Sequence, residues 1–212
     1  MDGVLVDSEP LHKRAKELAF AEVGIVLPES VYDSYKGRPD RTMLPEVLSA
    51  RGLSAGKIQA ISQRKKRIYE GLEHELQAIR GAAEFVQWAA SRYRIALATS
   101  ATSRNREATL QLLGIGDLFH AVVDADGHSR AKPDPEVFLV ALEKLQLGPD
   151  ECWIIEDSLN GVRAAKASGC FTVAITTTFD QEALLNAGAD LVVCSFAELQ
   201  SRIDPDLSTG MI

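Results

Sequence analysis

From residue 82 onward the chain alternates short apolar runs with helical patterns, and this rhythm restricts the fold more than any other feature. The runs lie at residues 94–99, 121–124, 152–156, 171–175 and 191–193. Apolar spacing predicts helices over 82–91, 103–113, 134–146, 158–168 and 181–186. Ser195 and Glu198 form a capping box that opens a last helix. Strands that alternate with helices imply a parallel sheet covered on both faces, and such sheets bind ligands beyond the carboxyl ends of their strands.

Residues 8–78 have a different character and read as helices only. Ser8 precedes Glu9 and Pro10, a helix start, and Leu11, Ala15, Leu18, Ala19 and Val23 follow at helical spacing up to Gly24. Further helices are expected over 28–35, 41–50 and 54–75, with breaks at Gly37–Pro39 and Gly52. A hydrophobic fraction of 46% supplies a sizeable core. A net charge of −7 gives no overall field that favours nucleic acid or an anionic membrane. Cys152, Cys170 and Cys194 are odd in number and lack metal-ligand spacing, which reads as reduced thiols. Asp2 and Gly3 follow Met1 with no basic stretch or long apolar run, so a cytoplasmic protein is expected.

The polar residues at strand ends are therefore the ones with chemical interest. Glu156 and Asp157 end the run 152–156, where paired carboxylates repel each other unless a cation sits between them. Hard oxygen donors of this kind suit Mg²⁺; the bland reading is that Asp157 merely caps the following helix. Lys132 stands in Ala-Lys-Pro-Asp-Pro, placed either to neutralise a phosphate or simply to face solvent from a turn. Thr99 and Ser100 offer a hydroxyl and backbone N–H groups ahead of a helix, an arrangement found with and without phosphate ligands. In Asp2-Gly3-Val4-Leu5-Val6-Asp7-Ser8, Gly3 lets the backbone turn directly beside a carboxylate.

Taken in order, Asp-Gly-Val-Leu-Val-Asp-Ser, Ala-Leu-Ala-Thr-Ser, Lys-Pro-Asp-Pro and Ile-Glu-Asp-Ser resemble the haloacid dehalogenase superfamily. Within it the chain is similar to the helical-cap subgroup that includes β-phosphoglucomutase and sugar-phosphate phosphatases. The resemblance spans essentially the whole chain. It implies an α/β fold with a Rossmann-like core of residues 1–7 and 79–212 and an inserted all-helical cap of residues 8–78. It also implies Mg²⁺ as cofactor. Asp2 matches the general acid/base, whose backbone carbonyl is also a metal ligand. Thr99 matches the phosphate-binding hydroxyl, with Ser100 beside it, Lys132 the lysine that steadies phosphate and nucleophile, and Glu156 with Asp157 the metal site.

The chain departs from the family pattern in one place. The nucleophilic aspartate falls two residues before Asp2, just ahead of Met1, together with an apolar strand that lies in the middle of the family's sheet. A start placed at an internal methionine accounts for this, and a real truncation is the rival account. In the helical segment, His12 matches a histidine that acts near the reacting sugar hydroxyl, and Lys65 aligns loosely with a substrate-contacting lysine. Arg38 falls in a loop that often sets specificity, while the other cap cations, among them Lys36, Arg41 and Lys66, read mostly as a solvated face. The expected activity is a Mg²⁺-dependent phosphomonoester hydrolase acting on a small, sugar-type phosphate through an aspartyl-phosphate. A phosphohexose mutase and an inactive phosphate-binding remnant are the alternatives. The expected partner is the small phosphate ester alone, with no nucleic acid or membrane, and the protein is expected to be a monomer or weak homodimer.

Overall fold

The computed structural model describes residues 1–35 and 40–203; Arg38 and Lys36 lie outside them. Two compact units result: one comprises Met1–Asp7 and the chain from Ala78 onward, the other Ser8–Gln77. Strands β1 (Val6–Asp7) and β2 (Gln77–Ala78) stand where the chain passes from one unit to the other. No helix among the described residues is long and apolar enough to cross a membrane.

The first unit contains β3 (Ala96–Ala98), β4 (Ala121–Val123), β5 (Trp153–Glu156), β6 (Phe171–Ile175) and β7 (Leu191–Val193). Their pairing is parallel throughout: Ala96 opposite Ala121, Trp153 opposite Phe171, and Val173 opposite Leu191 set the registers. In the following numbering α1 to α4 belong to the second unit. Helix α5 (Ala82–Ala90) packs with α10 (Phe196–Ile203); α7 (Glu136–Leu145) covers β3 and β4; α8 (Leu159–Ala167) covers β5 and β6; α9 (Gln181–Asn186) lies on β7. Helix α6 (Ser103–Leu113) opens at Thr102, whose side chain accepts from the Asn105 N–H. The α/β architecture with parallel pairing is thus the one the apolar rhythm implies.

The sheet is not continuous. β3 pairs with β4, and β5 with β6 and β7, but β3 and β5 do not pair with each other. Between them lies an apolar cavity of about 750 Å³ whose walls include Met1, Leu5, Ala96, Ala98, Ile154 and Ile155. Each of these two strands therefore has a ladder on one side only, at the place where the family pattern expects the sheet's middle.

The second unit is built from α1 (Glu9–Ala21), α2 (Glu29–Ser34), α3 (Asp40–Ser49) and α4 (Ala55–Leu72). Its own core gathers Phe20, Met43, Leu44, Leu48, Ile58 and Ile61. On α1 the buried row Leu11, Ala15 and Ala19 follows the i, i+4 spacing, but Leu18 is 44% exposed and Lys16 only 6%. The stripe is offset towards the adjacent 12, 16, 20 row because Phe20 is fully buried there, which rotates Leu18 outward.

Candidate active site

The carboxyl end of β5 carries the densest polar cluster of the first unit. Glu156 is 6% exposed and Asp157 7%, yet their surroundings differ. Glu156 turns back towards α8. One of its oxygens pairs with Lys132, and the other accepts from the Asp157 N–H at 3.1 Å, the Ser158 N–H at 3.3 Å and the Ser158 hydroxyl at 3.1 Å. Burial opposes its ionisation, but the Lys132 ammonium and these donors outweigh burial and hold its carboxyl well below the usual carboxylate range. Gly161 makes the fit possible: a Cβ there would lie 2.1 Å from the Glu156 carboxyl carbon.

Asp157 points the other way. Its Oδ2 accepts from the Thr178 hydroxyl at 2.5 Å and lies against the backbone of Gly3, where a Cβ would come within 1.9 Å. Gly3 has φ +67°, so both its conformation and its close approach exclude a side chain. The Thr177 hydroxyl donates to the Gly3 carbonyl, so the segment after β6 holds both the carboxylate and the turn that contains Asp2. That turn is drawn tight by the Met1 carbonyl, which accepts from the N–H groups of Leu5 at 2.7 Å and Val4 at 3.2 Å. Burial, and then the neighbouring charge of Glu156, push the Asp157 carboxyl up to about 7. The helix cap is Ser158, whose hydroxyl accepts from the Gly161 N–H at 3.1 Å, so Asp157 is not there as a cap.

These groups set the test for a divalent cation. No cluster of three or more His, Cys, Asp or Glu side chains that could hold a metal ion occurs among the described residues. What is present is a buried carboxylate, Asp157, that burial and Glu156 keep from ionising readily, next to the Asp2–Gly3 backbone. A hard cation that keeps several of its own waters fits that donor set, and its charge would relieve the penalty on Asp157. Glu156 contributes negative charge to the same spot while its own oxygens are taken up by Lys132 and Ser158.

Lys132 thus joins the cluster as the ion-pair partner of Glu156, and its ammonium also lies 4.6 Å from the centroid of the Phe138 ring. Thr99 is buried at the end of β3, its hydroxyl accepting from the Ala101 N–H at 3.1 Å and its N–H donating to Val123 at 2.9 Å. Ser100 is exposed beside it. Both follow the carboxyl end of β3, as Glu156 and Asp157 stand at the carboxyl end of β5. Gly161, Thr177 and Thr178 escaped the sequence reading: Gly161 sits inside an ordinary helical pattern, and the threonines follow a strand without any motif.

In the second unit, His12 on α1 and Lys65 on α4 do meet, with Lys65 Nζ 3.0 Å from His12 Nδ1. His12 stacks on Tyr69 with centroids 4.1 Å apart, and Lys65 also forms an ion pair with Asp40.

Comparison with known proteins gives the cluster a context. The sequence pattern of the haloacid dehalogenase-like hydrolases matches residues 1–169. A phosphorylated carbohydrates phosphatase of Thermotoga maritima is 34% identical over 91% of this chain and 91% of its own. A β-phosphoglucomutase of Bacillus subtilis is 31% identical over 94% of this chain and 88% of its own. The crystal structure of a β-phosphoglucomutase from Clostridium difficile superposes with a TM-score of 0.80 at 28% identity, covering 93% of this chain and 89% of that one.

Proposed function

The chain belongs to the haloacid dehalogenase-like hydrolase family, and from that premise we propose that it is a Mg²⁺-dependent phosphomonoester hydrolase acting on a small sugar-type phosphate. The observation that carries the reading is the arrangement at the end of β5: Glu156 is ion-paired to Lys132, whereas Asp157 is buried against the Gly3 backbone with its Oδ2 accepting from the Thr178 hydroxyl. The relatives named for phosphorylated carbohydrates support the substrate class.

In this reading Asp157 and the Asp2 backbone carbonyl hold the metal, with Glu156 adding charge behind them. When bound, Mg²⁺ supplies Lewis-acid stabilisation of the phosphoryl oxygens. The attacking carboxylate of the family pattern precedes Asp2 by two positions and is not among the 212 residues. Residues two apart on an extended segment face the same side, so a carboxylate there takes the phosphoryl group while Asp2 protonates the departing sugar oxygen. Water then attacks the aspartyl-phosphate, Asp2 takes its proton, and inorganic phosphate leaves. Lys132 steadies the phosphate charge, and Thr99 with the N–H groups around Ser100 donates to its oxygens. His12, Lys65 and Arg38 grip the non-reacting end of the substrate.

The test uses the protein extended at its N-terminus by an apolar strand ending in the missing aspartate. Incubated with β-glucose 1-phosphate and Mg²⁺, it is expected to release inorganic phosphate. Glucose 6-phosphate as the product would instead establish a mutase, a reading that the Bacillus subtilis relative favours. Phosphate binding without turnover of any sugar phosphate would sink both.

A further inference from the structure

Two threonines follow β6, and the hydroxyl of each is directed at the candidate metal site. Thr177 donates to the Gly3 carbonyl, and Thr178 donates to Asp157 Oδ2 at 2.5 Å. The Gly3 backbone closes the same oxygen from a second side, since a Cβ built there would lie 1.9 Å from Oδ2 and 2.9 Å from the Thr178 hydroxyl oxygen. No group among the described residues hydrogen-bonds Asp157 Oδ1. The Asp157 carboxylate, buried to 7% exposure, is thus bonded and walled in at one oxygen and left with the other. Glu156 adds no free oxygen beside it, because Lys132 holds Oε1, and Oε2 accepts from the Asp157 N–H and from Ser158.

Resting on the reading in which Asp157 holds the metal, we propose that Thr178 is a specificity-determining residue for the cation. By occupying Oδ2 it makes Asp157 a one-oxygen ligand, and so sets the site for Mg²⁺ against Ca²⁺. The two cations ask different things of a carboxylate. Mg²⁺ demands a near-octahedral shell at about 2.0–2.1 Å, keeps several of its waters, and is satisfied by a single oxygen from each carboxylate. Ca²⁺ takes more oxygens, at about 2.3–2.6 Å, and commonly gains two of them from one bidentate carboxylate. Bidentate ligation by Asp157 would require Oδ2 to leave the Thr178 hydroxyl, which breaks a charge-assisted hydrogen bond at a buried group, and to turn away from the Gly3 backbone. One-oxygen ligation through Oδ1 leaves both contacts in place. The Thr178 hydroxyl therefore acts against the competing cation rather than for the favoured one, which is how selectivity between similar ligands is commonly built.

Melting curves of the 212-residue protein over a range of MgCl₂ and, separately, CaCl₂ concentrations give the two dissociation constants and their ratio. The parent is expected to bind Mg²⁺ at least as tightly as Ca²⁺. Thr178→Val keeps the shape and removes the donor, and it should shift the ratio towards Ca²⁺ by about fivefold or more. Thr178→Ser restores the hydroxyl and should return the ratio to that of the parent. An identical ratio in parent and Thr178→Val overturns the proposal while the metal reading stands. Should Thr178→Val not fold, infrared difference spectra of the parent decide, with the Asp157 bands identified by their loss in Asp157→Asn. The wide spacing of carboxylate stretches that one-oxygen ligation gives is expected with both cations, and the narrow spacing of a bidentate carboxylate with Ca²⁺ overturns the proposal. A parent that responds to neither cation, or an Asp157→Asn variant that binds Mg²⁺ as the parent does, overturns the proposal together with the metal reading beneath it.

Discussion

Glu156 and Asp157 are chain neighbours with the same functional group, and their environments drive them apart. Lys132 and the α8 amino end hold Glu156 ionised, whereas burial and the Glu156 charge work against ionisation of Asp157. Removing the second charge should therefore stabilise the metal-free protein. Asp157→Asn is expected to raise unfolding free energy at pH 8 by about 1–3 kcal/mol in urea titrations and to abolish any Mg²⁺-induced gain in Tm. An unchanged Mg²⁺ response would place the metal elsewhere. Gly3 is the matching backbone constraint. Gly3→Ala combines a left-handed φ with a Cβ that would strike the Asp157 carboxylate, and a loss of about 2 kcal/mol or more is expected from thermal melts. The carboxylate pair was legible in the sequence as a motif, but its asymmetry was not, since it arises from Gly161, Thr178 and Gly3, which are remote in sequence or unremarkable in type.

Elements were the most readable scale where local chemistry decides them. At Ser195 the cap forms with a shifted return bond: Ser195 Oγ accepts from the Glu198 N–H at 3.2 Å, while the Glu198 carboxylate reaches one residue further back and accepts from the Cys194 N–H at 2.8 Å. Ser195→Ala should cost about 1 kcal/mol of stability by urea titration. Glu198 is held down to about 2 by the Cys194 N–H and then by Arg202. A carboxyl lowered in the folded state stabilises fully above its ordinary value of 4.5 and loses that contribution as pH falls towards 2. The stability difference between the parent and Glu198→Gln should therefore shrink across that window; a difference that stays constant with pH would exclude the ionised cap. Helix α1 was less legible. Its helical period was plain, but which neighbouring row faces inward depended on Phe20 and on the Asp40 carboxylate that receives Lys16.

At the scale of the molecule, each unit has its own core, and the first also contains the apolar gap between β3 and β5. A cavity of that size with apolar walls should take up an apolar dye. Anilinonaphthalene sulfonate is expected to fluoresce on binding the 212-residue protein, and an apolar strand appended ahead of Met1 should suppress the signal by at least half. Equal fluorescence in both would show that the strand does not enter the gap. Thr99 and Lys132 were both readable as strand-end groups, but the ion pair of Lys132 with Glu156 joins segments 24 residues apart and was not. The sequence by itself determined the parallel α/β class, the all-helical character of the segment after Ser8, the helix caps and the identity of the polar strand ends. All of these follow from periodicity and neighbours a few residues apart. Only the tertiary structure decided that Glu156 belongs to Lys132, that Asp157 rests on Gly3, and that two lysines share Asp40. Such pairings depend on burial and on distances between segments far apart in the chain, and neither quantity is written in local pattern.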